Sequence, residues 1–374
     1  MELLYEMWLH TISKFEPEIS EKIAPMFEND RRSFSSSDMD ERFLEDMGIS
    51  GEFAKRVSQP EFFKEARDII EYCSSNGIRI ITRDSSEYPS SLHNIAVPPR
   101  LLFAKGSQLD LRGRVAVSVV GCRKPTEHGK SFARLLGKTL AENNIAVISG
   151  MAEGIDGQAH QGALDAGGYT VAVLAGSVDE VYPKCHERLY REILENGGTI
   201  ISERPPRTVT KKYFYQQRNR IITGLSKGTV FVEGKEASGT SITARHTLDN
   251  NKDVFAVPGN PLLWQSELPN RLISEGAIIV NTPMVPVEYY KEQYKELIFS
   301  KQTCKKTEKQ PEIKLISDDS AILDFLRDNG GIANIEQIAQ ALNLSVNILS
   351  GRLTILCIKG KIRQESGNRY VLTD

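Results

Sequence analysis

The sequence predicts an α/β protein: a parallel sheet covered by helices on both faces, with a helical domain before it and a winged-helix module after it. Two observations carry the core. Between Ile78 and Val280, short continuous apolar runs alternate with helix-like spans, the pattern of strands buried on both faces. Those runs end in glycine-containing loops, and in open α/β sheets ligands bind at the carboxyl ends of strands. A third observation, apolar residues at helical spacing in both end regions, sets the flanking modules apart.

Residues 1–76 read as short helices over Leu3–Phe15, Ile19–Phe27, Met39–Met47 and Glu61–Ser75, with Met47-Gly48-Ile49-Ser50 as a helix end. Two roles fit them: a small docking bundle, or a DNA-contacting module of sterile-alpha or helix-hairpin-helix type. Residues 77–285 form the predicted core. Its strands are Val115–Val120, Ile145–Ser149, Thr170–Leu174, Thr229–Glu233, Val254–Val257 and Ile278–Val280. Its helices are Glu127–Glu142, Ile155–Ala166, His186–Asn196, Gln217–Leu225, Ser241–Asn250 and Glu267–Ser274. Residues 286–316 read as a linker, with one polar helix over Pro286–Phe299 and a charged stretch over Ser300–Pro311. In residues 317–374, helical patterns at Asp319–Asp328, Ile335–Leu342 and Val346–Ile358 precede a hairpin with Ser366-Gly367-Asn368 at its tip.

Bulk properties narrow the function. The net charge of -2 over 374 residues requires any polyanion site to be a local patch. The five cysteines are scattered and contain no C-x-x-C pair, which argues against a disulfide framework or zinc site and fits a reducing cytoplasm. No leader pattern and no long apolar run is present, so a cytosolic protein away from membranes is expected.

The strand-end loops carry the chemistry. The first is Gly121-Cys122-Arg123-Lys124-Pro125-Thr126, whose glycine lets the backbone approach an anion at a helix N-terminus. No G-x-G-x-x-G follows, and Gly129-Lys130-Ser131 lies too far from Gly121 for a P-loop. The second loop holds Gly150, Glu153 and Asp156, and the Asp156–His160 spacing predicts a local helical pairing rather than acid–base catalysis. The third holds Gly176 and Ser177, with Tyr182-Pro183 fixing a helix entry or offering a ring to a base.

From Ser202 to Ile221 the chain carries Arg204, Arg207, Lys211, Lys212, Arg218 and Arg220 against the single acid Glu203, interleaved with Tyr213, Phe214 and Tyr215. Cations bind phosphates and rings stack bases, so this stretch predicts one wall of a nucleic-acid groove. Gly239-Thr240 offers further backbone N–H groups at a helix start, braced by Glu233.

These residues together resemble the DprA/Smf family, the DNA-processing proteins of bacterial natural transformation. The motifs include V-G-C-R-K-P-T (120–126), S-G-M-A-E-G-I-D-G-Q-A-H (149–160) and V-L-A-G-S-V-D-E-V-Y-P (173–183). They continue with I-S-E-R-P-P (201–206), R-N-R-I-I-T-G-L-S (218–226), V-E-G (232–234), S-G-T-S-I-T-A-R (238–245) and V-F-A-V-P-G (254–259). The resemblance implies an extended Rossmann core that binds single-stranded DNA without sequence preference and dimerises. It also implies loading of a RecA-type recombinase onto strands coated by single-strand-binding protein. By position, Arg123 matches the family's DNA-contacting arginine after the first strand, Lys212 the lysine three residues ahead of its aromatic-proline pair, and Arg218 and Arg220 its R-N-R motif, so successive phosphates are expected along these four cations. The expected interface therefore comprises Gly121, Arg123, Lys124, Gly150, Gly176, Ser177, Lys211, Lys212, Tyr215, Arg218, Asn219, Arg220, Gly239 and Thr240. Cys122 stands where the family has Ser, Tyr215-Gln216 where it has Phe-Pro, and residues 260–270 (N-P-L-L-W-Q-S-E-L-P-N) where it has a glycine-rich loop.

The rival reading is a nucleotide-cleaving phosphoribohydrolase of the lysine-decarboxylase-like family, with its P-G-G-x-G-T-x-x-E motif. Gly239-Thr240 keeps the G-T, but Thr243 occupies the acid's position, so a ribosyl cation would lack its stabiliser. The expectation is a binding protein with no catalytic residue, cofactor or metal. A third reading is an adaptor working through its end domains. From Asp318 onward six basic residues face seven acids, which favours a protein-contact role for the C-terminal module.

Overall fold

The computed structural model describes residues 2–25, 59–294, 318–342, 349, 352–353, 356–357, 360–365 and 369–373. The expected helix Met39–Met47 and its terminal turn, the charged stretch Ser300–Pro311 and the hairpin tip Ser366-Gly367-Asn368 lie outside those residues, as does most of Val346–Ile358. The chain divides into two compact units, Met1–Gln302 and Thr303–Asp374.

In the first unit, α1 (Glu2–Ile12) is followed by α2 (Pro17–Ile23) and α3 (Pro60–Ser75). Proline opens both later helices, where a missing N–H breaks no intrahelical bond. The α1 side chains Tyr5, Met7, Trp8, Leu9 and Ile12 are buried in one cluster with Phe103 and Ile200 of the sheet. The buried Arg100–Glu6 pair at 2.8 Å fastens α1 to the same body. The N-terminal helices and the sheet thus share a core.

The sheet elements follow in chain order: β1 (Arg79–Thr82), β2 (Leu101–Gly106), β3 (Val115–Val120), α4 (Glu127–Glu142), β4 (Ile145–Ser149) and α5 (Ile155–Asp165). Next come β5 (Thr170–Val173), α6 (Glu187–Glu195), β6 (Thr199–Ser202), α7 (Phe214–Leu225), β7 (Gly228–Phe231) and α8 (Gly239–Asp249). β8 (Asp253–Ala256), α9 (Glu267–Ser274), β9 (Ile278–Ile279) and α10 (Val285–Lys291) complete the unit. β3, β4 and β5 are buried along their whole length, as continuous apolar runs require.

Among the described residues the strands form one nine-stranded sheet in the order β1-β2-β6-β5-β4-β3-β7-β8-β9. From β6 to β9 every neighbouring pair is parallel, with Val115 opposite Ile145 and Val117 opposite Gly228. The expectation of a parallel sheet fails at one edge, where β1–β2 and β2–β6 run antiparallel. β2, L-L-F-A-K-G, makes both of these pairs, and neither it nor R-I-I-T of β1 nor T-I-I-S of β6 is among the strands expected from the sequence. The order also fixes where a ligand belongs. Chain order runs outward from β3 in both directions, through β4 on one side and β7 on the other, which makes a switch point between β3 and β7.

Two buried histidines give the fold a pH signature. His10 Nε2 lies 3.0 Å from the Glu203 carbonyl, and His160 Nδ1 lies 2.7 Å from Thr170 Oγ1. Burial pushes both down to about 3 from an ordinary 6.5, with Arg204 adding to the effect on His10. Between those values the unfolded chain binds protons that the folded chain refuses. Their stabilising contribution is therefore full above the unfolded pKa and is lost as pH falls toward the folded one. Moving from pH 7 to pH 5 is expected to cost about 4 kcal/mol for the two together, read from urea titrations. Asp156, raised by burial against the pull of Arg218, acts in the opposite sense. The comparison with His10→Gln isolates the histidine term, because that variant should lose about half as much.

In the second unit, α11 (Asp318–Asp328) and α12 (Ile335–Leu342) pack with a three-stranded antiparallel sheet. Its strands are β10 (Ile332–Asn334), β11 (Ile362–Glu365) and β12 (Arg369–Leu372), in the order β10-β12-β11. Asn334 and Gln337 exchange side-chain and backbone hydrogen bonds at 3.0 and 2.8 Å, capping the start of α12. Leu353, Leu356 and Tyr370 are buried with Ile322, Leu326 and Ile338, so those leucines are core. Among the described residues no helix is long and apolar enough to cross a membrane.

Candidate nucleic-acid interface

At the carboxyl ends of the parallel strands lies a groove of about 870 Å³ whose lining runs from the β3 loop to the loop after β8. Gly121 and Arg123 come from the β3 loop, Lys211, Lys212, Tyr215 and Asn219 from the approach to α7 and its first turns, and Gly239 and Thr240 from the start of α8. A smaller pocket of about 140 Å³ shares Arg123 and Tyr215 with it and adds Lys124, Gly150 and Gly176. Residues distant in sequence meet here because β3, β4, β5 and β7 all end at this edge.

The β3 loop is held by one acid. Glu233, at the end of β7, accepts from Thr126 N at 2.8 Å and from Thr126 Oγ1 at 2.5 Å, while its carbonyl accepts from Cys122 N at 2.7 Å. Thr126 in turn caps α4 by accepting from Gly129 N at 3.0 Å. A Cβ on Gly129 would sit 2.4 Å from the Glu233 carboxyl carbon, so only glycine leaves room for the brace. Glu233 thus braces the β3 loop, not the Gly239-Thr240 loop as expected. The latter is shaped by a capping box between Ser238 and Ser241.

The basic stretch divides by direction. α7 starts at Phe214, earlier than the sequence pattern indicates, which sets Tyr215 in its first turn. Arg123 lies over the Tyr215 ring at 4.9 Å, and Tyr182 stands 6.2 Å from the same ring. Arg123, Lys211 and Lys212 are exposed. Arg218 is buried on the groove floor, where Nη1 donates to the Gly150 carbonyl at 2.7 Å and to the Val173 carbonyl. A Cβ on Gly150 would come within 2.2 Å of that nitrogen, so the glycine makes room for the guanidinium. Arg220 does not line the groove. It is buried and donates to Glu203 at 2.7 Å. Ser177 is likewise buried outside the lining. The expected row of four phosphate-facing cations is therefore corrected: Arg123 and Lys212 face the groove, Arg218 ties its floor, and Arg220 pairs inward.

The expected Asp156–His160 pairing is also replaced. Asp156 accepts from Gly150 N at 3.1 Å and is further held by the backbone of Ala152 and Gly121. His160 turns to Thr170 instead. Both side chains are more useful to the strand-end loops and to β5 than to each other.

Several contacts behind the groove wall, and two residues lining the groove, escaped the sequence reading. Glu16, from the turn after α1, accepts from Tyr213 Oη at 2.6 Å and Gln217 Nε2 at 2.8 Å. Arg204 donates to the Phe15 carbonyl and to Gln217 Oε1, and stacks over Phe214 at 3.9 Å. The N-terminal helices thereby hold the basic wall in place. Lys235 and Trp264 also line the groove. Lys235 directly follows the V-E-G motif, and Trp264 lies in the stretch that departs from the family pattern; neither has a periodicity that would mark it.

The sequence model of the DNA recombination-mediator protein A family matches residues 79–291, which contain every residue lining the groove. DNA processing protein DprA of Bacillus subtilis (strain 168) is 36% identical over 217 residues, covering 58% of this chain and 73% of that protein. The X-ray structure of DprA from Streptococcus pneumoniae matches with a TM-score of 0.62 at 30% identity, over 76% of this chain and 97% of that one. A structure of DNA processing protein A from Helicobacter pylori, concerned with that protein's single-stranded DNA binding mode, matches with a TM-score of 0.53 at 26% identity. It covers 58% of this chain and 97% of its own. With its matched region spanning β1 to α10, the chain belongs to the DNA recombination-mediator protein A (DprA) family.

Proposed function

We propose that the chain binds single-stranded DNA without sequence preference along the switch-point groove, protects it, and loads a RecA-type recombinase during natural transformation. The observation that carries this reading is the pairing of cations and rings at the groove: Arg123, Lys211, Lys212 and Lys235 with Tyr215 and Trp264. Ammonium and guanidinium groups neutralise phosphates, and an aromatic face stacks any base, so affinity needs no sequence readout. The likeness to the H. pylori relative supports the same ligand.

In this reading the protein is a cytoplasmic homodimer, a binder rather than an enzyme, acting on strands coated by single-strand-binding protein. Residues 1–76 serve as a sterile-alpha or helix-hairpin-helix type module docked on the sheet, residues 77–285 as the extended Rossmann core, and residues 286–316 as a linker whose first helix, α10, packs on that core through Val287 and Tyr290. Residues 317–374 act as a winged helix for protein contact. Anisotropy titration of labelled oligo-dT tests the function. With four exposed groove cations, log K should fall against log salt with a slope of about -3, taking roughly -0.7 per contacted phosphate. Light scattering should show the dimer on the same oligonucleotide. A chain that leaves oligo-dT free at low salt refutes the reading.

A further inference from the structure

The groove continues past β7, beyond the residues expected at the interface from the sequence. Lys235 comes from the loop after β7 and Trp264 from the loop after β8, and both line the groove. Two backbone hydrogen bonds bind these loops together. Gly234 N donates to the Gln265 carbonyl at 2.6 Å, and Leu268 N donates to the Gly234 carbonyl at 3.0 Å. Gly234 and Gln265 are the chain neighbours of Lys235 and Trp264, so the first of these bonds brings the ammonium stem and the indole into one neighbourhood. Arg271 Nε adds an ion pair to Glu236 at 3.3 Å, joining α9 to the same loop. Trp264 is nevertheless 42% exposed, a large apolar face left open on a fastened loop.

We propose that Trp264 and Lys235 form a nucleobase subsite, in which the indole face stacks a base and the ammonium meets the adjoining phosphate. The subsite rests on the groove being the path of a DNA strand. It repeats, two strands along the sheet edge, the ring-and-cation combination that Tyr215 and Arg123 make at 4.9 Å. Neighbouring strands lie about 4.8 Å apart, so the β3 and β8 loops are roughly 10 Å from one another, a span that a short run of nucleotides can cover. The ligand is a base of any identity, because every base offers a π-face.

Intrinsic fluorescence of the full chain isolates this subsite. The chain has two tryptophans, and Trp8 is fully buried at 0% exposure, so a change in indole emission on adding DNA reports on Trp264. Oligo-dT should quench the emission, whereas an abasic oligonucleotide of equal length should leave it unmoved. Trp264→Ala should abolish the quench and weaken binding of labelled oligo-dT about 5- to 150-fold, and Trp264→Phe should retain most of the affinity. An unchanged urea midpoint for Trp264→Ala shows that the fold is intact. If anisotropy reports binding of oligo-dT but the emission does not move, the subsite is overturned and the groove reading stands. Equal quenching by the abasic strand overturns the subsite as well. If anisotropy reports no binding at all, the groove reading falls and the subsite falls with it.

Discussion

Arg123→Ala combined with Lys212→Ala is expected to weaken oligo-dT binding by about 30- to 150-fold at moderate salt, allowing roughly 1 to 1.5 kcal/mol for each charge-assisted contact. The same variant should flatten the slope of log K against log salt by about 1.4, because two phosphate contacts at roughly 0.7 each disappear. Both side chains are exposed, and they approach the groove from different elements, one after β3 and one before α7. A strand lying across the switch point has to pass both. Arg123 has a second effect. Its guanidinium lies over the Tyr215 ring at 4.9 Å, so its removal frees that ring as well as deleting a charge. Neither residue holds the fold together, and the urea midpoint should therefore stay where it is. Wild-type affinity with a wild-type salt slope in the double variant would remove the groove from consideration as the DNA path.

The two-charge variant is informative because the sequence alone ranks four cations together. Composition reports how many charges a segment carries, not which way they point. R-N-R at 218–220 reads as two equivalent arginines, yet their guanidinium groups go to different partners. Arg218 reaches the strand-end carbonyls at Gly150 and Val173, and Arg220 reaches Glu203. Both partners are contributed by other loops, which no local pattern records. The strands behave differently. V-A-V-S-V-V at Val115–Val120 is legible to the residue because a central parallel strand must be apolar on both faces. The helix Glu127–Glu142 is legible to the residue as well, from its apolar spacing. The start of α7 is not, since Tyr213, Phe214 and Tyr215 have weak helical preference and become ordered through Glu16 and Arg204. Trp264 was invisible for a related reason: its loop has no motif, and its place at the groove depends on the Gly234–Gln265 bond.

Arg220→Ala should behave in the opposite way to the groove variant. Arg220 and Glu203 are about 10% and 6% exposed and 2.7 Å apart. Deleting the cation strands a buried carboxylate, and breaking such a pair costs about 3–5 kcal/mol. For a domain of ordinary stability that is a large fraction of the total, and urea unfolding should show it as an early midpoint. The Glu203 backbone carbonyl also accepts from His10 at 3.0 Å, so the disturbance should reach α1 and weaken its hold on the sheet. Replacing both partners, as Arg220→Met with Glu203→Leu, removes the stranded charge and should recover much of the lost stability. At urea-free conditions where the single variant remains folded, its salt slope should equal that of the wild type, because no phosphate contact is lost. Unaltered stability together with a flattened slope would mean that Arg220 leaves Glu203 when DNA arrives, and would return it to the row of phosphate-binding cations that the sequence suggests.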